Sequence, residues 1–184
     1  GVNPVTIYIS LLRGINVSGQ KIIKMADLKG LYQSLSLQDV KTYIQSGNVI
    51  FTSNIKAPDE LATKISQAIF AHYQFEVPIF VLTLEMLKGA RQQLPFDDIN
   101  LDKEGSKVLL CFLSGKPDNA IELLSPYLKS NERLCINDNV LYIYCPDGSG
   151  RTKLTHRNIE QKLALSATSR NLKTVDKLIE LGSC

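Results

Sequence analysis

Apolar and polar positions along the chain change period several times, and each change marks an element. "TIYISLLRGIN" opens with a β-rich run, Ile7 to Leu12, that breaks into the glycine-containing loop "RGINVSGQK". "MADLKGLYQSLSL" then places Met25, Leu28, Leu31, Tyr32 and Leu35 on one helical face. "VKTYIQ" and "NVIFTS" read as short strands joined at Ser46–Gly47, where glycine tolerates positive φ. "APDELATKISQAIFAHY" is the next helix. Pro58 fits its first turn, Asp59 and Glu60 suit its positive end, and Leu61, Ile65 and Ile69 recur every fourth residue. "VPIFVLT" closes the series as a strand.

Strand-helix-strand-strand-helix-strand over residues 5–84 is the split βαβ of ferredoxin-like domains. In that topology the first two strands run parallel with the third between them. The loop "RGINVSG" and the hairpin "IQSGN" are therefore expected side by side, which gathers Arg13, Asn16, Gln45, Ser46 and Asn48.

The second half begins with a helix, "LEMLKGARQQL", and a polar link, "PFDDINLDKEG". A strand "KVLLCFL", a helix around "PDNAIELLSPYL" and the strands "RLCIN" and "VLYIYC" about Asp138–Asn139 follow. A glycine loop, a helix near Thr152–Leu163 and a last helix, "NLKTVDKLIELG", end the chain. The order repeats the first half with its final strand missing. The expected fold is α+β: two ferredoxin-like (split βαβ) subdomains with antiparallel sheets, residues 1–84 and 85–184, the second incomplete and carrying basic C-terminal helices. No residue-level repeat accompanies this order.

With 184 residues and 44% hydrophobic content, the chain has enough apolar material for an ordinary core. No apolar run approaches the roughly 20 residues that cross a bilayer, and no signal-like pattern opens the sequence, so a cytoplasmic protein without membrane contact is expected. The cysteines Cys111, Cys135, Cys145 and Cys184 are far apart, with no CxxC pair, and read as buried or incidental thiols. With only His72 and His156, a histidine-rich metal centre is excluded. No metal and no cofactor are expected, and the paired acids Asp97–Asp98 give only a weak reason to think otherwise. Net charge is +3, but residues 150–184 carry +4 and residues 1–149 carry −1. The basic excess is C-terminal and points to an acidic partner or ligand there.

The loop "CPDGSGRTKLTHRN" follows an apolar strand and opens into a basic segment. It is not a P-loop: only Ser149 separates Gly148 from Gly150, and Thr152 precedes Lys153. A glycine-rich strand-to-helix turn followed by Arg151 and Lys153 still suits one anionic group. Arg13 directly follows a strand, where its stem is expected to pack and its guanidinium to be held for bidentate contact with phosphate or carboxylate. In "TSRNLKT", Arg170 precedes a helix start capped by Ser169 or Asn171. The bland counterparts are turns capped by Asn16 and Asn48 and arginines bonding loop carbonyls. No Ser/His/Asp or Cys/His arrangement is present. Strand aromatics Tyr8, Tyr43, Phe51 and Tyr142 lack the RNP1 context that would make them a base-stacking platform.

"LLRGINVSGQKIIKMADLKGLYQSL", "VKTYIQSGNVIF", "CPDGSGRTKLT" and "TSRNLKTVDKL" resemble, in order, the blocks of the bacterial family known as domain of unknown function number sixteen ninety-seven. The resemblance spans Tyr8 to Leu178 and implies two ferredoxin-like subdomains. It places the family's motif positions on Arg13, Gly14, Asn16, Gly19, Gln45, Ser46, Gly47, Asn48, Gly148, Gly150, Arg151, Lys153, Arg170, Asn171 and Thr174. Relatives often carry a second glycine where this chain has Ser18, so a stiffer first loop is expected. The family's name assigns no biochemical role.

The leading expectation is a binding protein that takes a phosphate-bearing ligand, a nucleotide or nucleic acid, through Arg13, Asn16, Gln45, Ser46, Asn48, Gly148, Gly150, Arg151, Lys153, Arg170 and Asn171. The alternatives are an enzyme acting on a phosphorylated or carboxylated small molecule, with Asp147 the least poor base, and a scaffold in which the motif residues are internal ties.

Overall fold

The computed structural model describes residues 4–184. The chain divides into two compact units, Gly1–Lys88 with Leu178–Cys184, and Gly89–Lys177. In chain order the elements are β1 (Thr6–Leu12), α1 (Met25–Ser34), β2 (Gln38–Tyr43), β3 (Asn48–Ser53), α2 (Pro58–Tyr73), β4 (Ile79–Thr83), α3 (Leu84–Gln92), α4 (Leu101–Glu104), β5 (Val108–Leu113), α5 (Ala120–Leu124), β6 (Arg133–Asn137), β7 (Val140–Tyr144), α6 (His156–Leu163), β8 (Ala167–Asn171) and α7 (Leu172–Gly182). Within α3 and α7 the chain passes from one unit to the other.

The first unit is a four-stranded antiparallel sheet in the order β2-β3-β1-β4. β1 and β2 both pair antiparallel to β3, so they run parallel to each other on either side of it. Period-two alternation sends Tyr8 and Leu12 of β1, with Val49, Phe51 and Val81, into a core shared with Leu28 and Tyr32 of α1 and Leu61, Ile65 and Ile69 of α2. The three α2 residues are fully buried, each worth about 1.5–3 kcal/mol. Pro58 opens α2 at a position that needs no N–H, and Gln74 closes it in the left-handed region. A polar pair lies beside this core: the hydroxyls of Ser10 and Tyr32 lie 2.7 Å apart.

The second unit repeats the topology, with a sheet in the order β6-β7-β5-β8. Leu109, Cys111 and Leu113 of β5, with Leu141, Ile143 and Ala167, pack against Ala120 and Leu124 of α5 and Ile159 of α6. The sheet thus has the fourth strand that the sequence pattern lacked. β8 pairs antiparallel with β5 from Leu113↔Ala167 to Leu109↔Asn171. Its sequence, ATSRN, has no apolar run because its buried positions are Ala167, Thr168 and Arg170.

Several boundaries also move. β2 stops at Tyr43, because Ile44 takes φ +53° and begins a turn that runs to Gly47. α5 is only five residues long and gives way to a 3-10 turn at Ser125–Tyr127, where Pro126 interrupts the α-helical bonding. α6 starts at His156, after a separate 3-10 turn over Ser149–Arg151, so the glycine loop does not run straight into it.

Candidate functional site

In the first unit the two glycine loops are adjacent. Leu12 N donates to Gly47 O at 2.9 Å where β1 ends beside the start of β3, and Leu11 faces Asn48 in the register. The Asn16 carboxamide knits the loops together. Its Nδ2 donates to the carbonyls of Ile23 (3.0 Å) and Gln45 (2.8 Å), while its Oδ1 accepts from Ile23 N (2.8 Å). Asn16 adopts φ +55°, a conformation asparagine tolerates better than most residues. Asn48 is fully buried and donates to Tyr43 O at 2.9 Å and Ser46 Oγ at 3.1 Å. Gln45 and Ser46 are exposed, whereas Arg13 is half-buried, its backbone N–H donating to Pro78 O at 3.1 Å. Ser18 sits at φ +52°, in the left-handed region that glycine occupies without strain.

In the second unit the loop after β7 is held from below. Cys145 is fully buried, and its thiol contacts Thr152 and Glu132. Burial, partly opposed by the Thr152 hydrogen bond, pushes that thiol up to about 11. Glu132 is itself buried and accepts from Lys129 N at 2.9 Å, while Thr152 Oγ1 accepts from Leu154 N at 3.1 Å. Thr152 and Leu154 point inward, and Arg151, Lys153 and Thr155 between and beside them are exposed. Arg151 and Lys153 make no side-chain hydrogen bond or ion pair among the described residues. Gly148 turns the chain with φ +99°, ψ +149°, a region essentially reserved for glycine, and Gly150 stands in open space. Thr155 Oγ1 accepts from Asn158 N and caps α6, leaving Arg157 exposed in its first turn.

Arg170 and Asn171 both make hydrogen bonds within the second unit. Arg170 is 8% exposed in β8, and its Nη1 donates to Thr168 Oγ1 and Ser169 O, both at 2.9 Å. Burial lowers its pKa to about 10. Asn171 Oδ1 accepts from Thr174 N at 2.9 Å and caps α7. Asp98 is engaged by Arg133, whose Nη1 donates to both its oxygens, at 2.8 and 3.0 Å, and the guanidinium holds the carboxyl below its usual range. Among the described residues no three His, Cys, Asp or Glu side chains gather as a metal set, and no helix is long and apolar enough to cross a membrane.

Glu132, Cys145, Thr152 and His156 were absent from the sequence-derived candidates. Alternation along "RTKLT", apolar or small residues against bases, was the readable signal for Thr152. Nothing local marks Glu132, which reaches the loop from the other end of a hairpin.

The model of the family described as "Protein of unknown function (DUF1697)" matches residues 5–142. The conserved bacterial protein SP0830 from Streptococcus pneumoniae has a similar structure, with a TM-score of 0.73 and 26% sequence identity over 97% of this chain and 99% of that one. No curated protein matches the sequence.

Proposed function

We propose, from the premise that the chain belongs to the DUF1697 family of proteins of unknown function, that it is a binding protein taking a phosphate-bearing ligand, a nucleotide or nucleic acid, on the loop from Gly148 to Arg157. The observation that carries this reading is the alternation at the loop: buried Thr152 and Leu154 anchor an extended segment whose intervening side chains, Arg151 and Lys153, face solvent. Two cations on a fixed backbone lose less freedom on meeting an anion than two on a mobile one. Arg157, in the first turn of α6, adds a third cation beside the positive end of the helix dipole.

The same geometry divides the other candidates. Asn16, Asn48, Arg170 and Asn171 spend side-chain hydrogen bonds on the fold, which favours the reading of internal ties for these residues. An enzyme gains no support, because Asp147 already accepts from Asn131 and the raised Cys145 thiol is not a nucleophilic thiolate near neutral pH.

Titrating oligo-dT and ATP at low salt into the wild type and the Arg151→Ala/Lys153→Ala variant tests the reading. Affinity is expected to fall, with the salt slope for the oligonucleotide shallower by about 1.4 (0.7 per phosphate contact) and the melting temperature unchanged. Equal affinity in the double variant overturns it.

A further inference from the structure

The first unit carries an apolar feature that anion binding does not use. Val17, Ile22 and Ile44 are 58%, 56% and 48% exposed. Each is the chain neighbour of one of the three residues that the Asn16 carboxamide joins: Val17 follows Asn16, Ile22 precedes Ile23, and Ile44 precedes Gln45. Asn16 thus holds together the backbone segments that carry these three aliphatic side chains. The backbone there is costly. Asn16, Ser18, Lys21 and Ile44 all have φ between +48° and +55°, and for β-branched Ile44 this is a genuine outlier. An exposed turn position with this conformation suits asparagine or glycine, which would remove both the strain and the exposed surface.

The surroundings are basic. Residues 13–26 hold Arg13, Lys21 and Lys24 and no acid, and residues 40–48 hold Lys41 and no acid. Asp27 and Asp39 flank these segments in sequence. Glu76 meets the first loop through its backbone, its carbonyl accepting from Lys21 Nζ at 2.6 Å.

We infer that this tip, Val17, Ile22 and Ile44 in loops that also carry Arg13, Lys21 and Lys24, docks a protein segment that combines aliphatic side chains with carboxylates. Charge complementarity selects this occupant. The same tip of a second copy would set like charges against each other. A single nucleic-acid strand is held by stacking on exposed aromatic rings, and the exposed large apolar residues of these two loops, Val17, Ile22 and Ile44, are aliphatic. The site lies wholly in the first unit and does not depend on the Gly148 loop in the second.

The test uses the full chain and a soluble dodecapeptide of alternating leucine and glutamate, followed by fluorescence anisotropy. Its comparisons are a leucine–lysine peptide, phosphatidylserine vesicles and oligo-dT. The acidic peptide is expected to bind. The combined Val17→Ser, Ile22→Ser, Ile44→Asn variant is expected to weaken it about tenfold or more, the equivalent of ~1.4 kcal/mol, without lowering the melting temperature, since asparagine suits the left-handed turn. Arg151→Ala/Lys153→Ala should leave this binding intact. No binding of the acidic peptide, unchanged binding by the triple variant, or loss of vesicle or oligo-dT binding in its place overturns the inference.

Discussion

Gly47 shows how one residue type decides whether the paired loops of the first unit can form. Its φ is +90°, and a Cβ there would stand 2.8 Å from both Leu12 Cβ and Ile15 Cδ1. The Ile15 methyl can swing away, but Leu12 Cβ is fixed to β1. Gly47→Ala therefore combines a left-handed backbone penalty of about 1–2 kcal/mol with an overpacking penalty of about 1–3 kcal/mol. Gly14, at φ +76° with nothing near its missing Cβ, isolates the backbone part. Urea denaturation should show Gly47→Ala as the more destabilised of the two alanine variants. Equal midpoints would mean that the contact with Leu12 and Ile15 costs nothing. The glycines were legible in the sequence as turn residues. Their unequal roles were not, because the atom that forbids a Cβ at position 47 comes from a strand thirty-five residues earlier.

At the scale of elements, β8 is the edge strand that the hydrophobic pattern could not reveal. A strand is legible when its buried face is apolar, as in VLLCFL; β8 buries Thr168 and Arg170, so its pattern is that of a loop. What holds it is the neighbouring helix. His156 Nε2 accepts from Ser169 N at 2.9 Å, and Glu160 Oε2 accepts from Ala167 N at 3.0 Å. Side chains one helical turn apart thus meet backbone donors two residues apart in the strand, each period matching the other. An edge strand with its outward donors occupied is also blunted against pairing with another chain. His156→Ala should leave the part-buried Ser169 donor without its acceptor, at a cost of about 1–3 kcal/mol. Amide hydrogen exchange at Ser169 should accelerate more than at the β5 amides. Uniform acceleration across the sheet would show that His156 supports the whole unit and not this edge. The candidate site divides along the same line. Arg151 and Lys153 were readable because they follow a glycine-rich turn at the end of a strand. Asn16, Asn48 and Arg170 were readable as special residues, but the hydrogen bonds that their side chains make were not.

For the molecule as a whole, the repeated order of strands and helices was legible because each half lays down short, local elements whose periods differ. The charge division was legible too, and it puts the +4 excess in the stretch that holds Arg151, Lys153 and Arg157. Stability, by contrast, depends on ionisable groups that burial alone identifies. Burial pushes Cys145 up to about 11 and Tyr142 up to about 12, and raises Tyr32 further. In the unfolded chain these groups lose their protons near the ordinary values of about 8.5 for a thiol and 10 for a phenol. Between the unfolded and folded values the unfolded state binds fewer protons, so unfolding becomes more favourable as pH rises. The stabilisation is complete below about pH 8.5 and is lost through about pH 11 for the thiol and pH 12 for Tyr142. Arg170, pulled down to about 10, acts in the opposite sense, but only above that pH. Thermal melting should therefore fall from pH 8.5 to 10, below the range in which Arg170 acts in the opposite sense. In Tyr142→Phe, whose hydroxyl no longer donates to Ala90 O, the slope above pH 10 should be shallower than in the wild type, whatever the melting temperature at neutral pH. A flat profile from pH 8.5 to 10 would mean that Cys145 loses its proton as readily in the folded protein as in the open chain, and the loop after β7 would then lack the dry anchor that holds Arg151 and Lys153 outward.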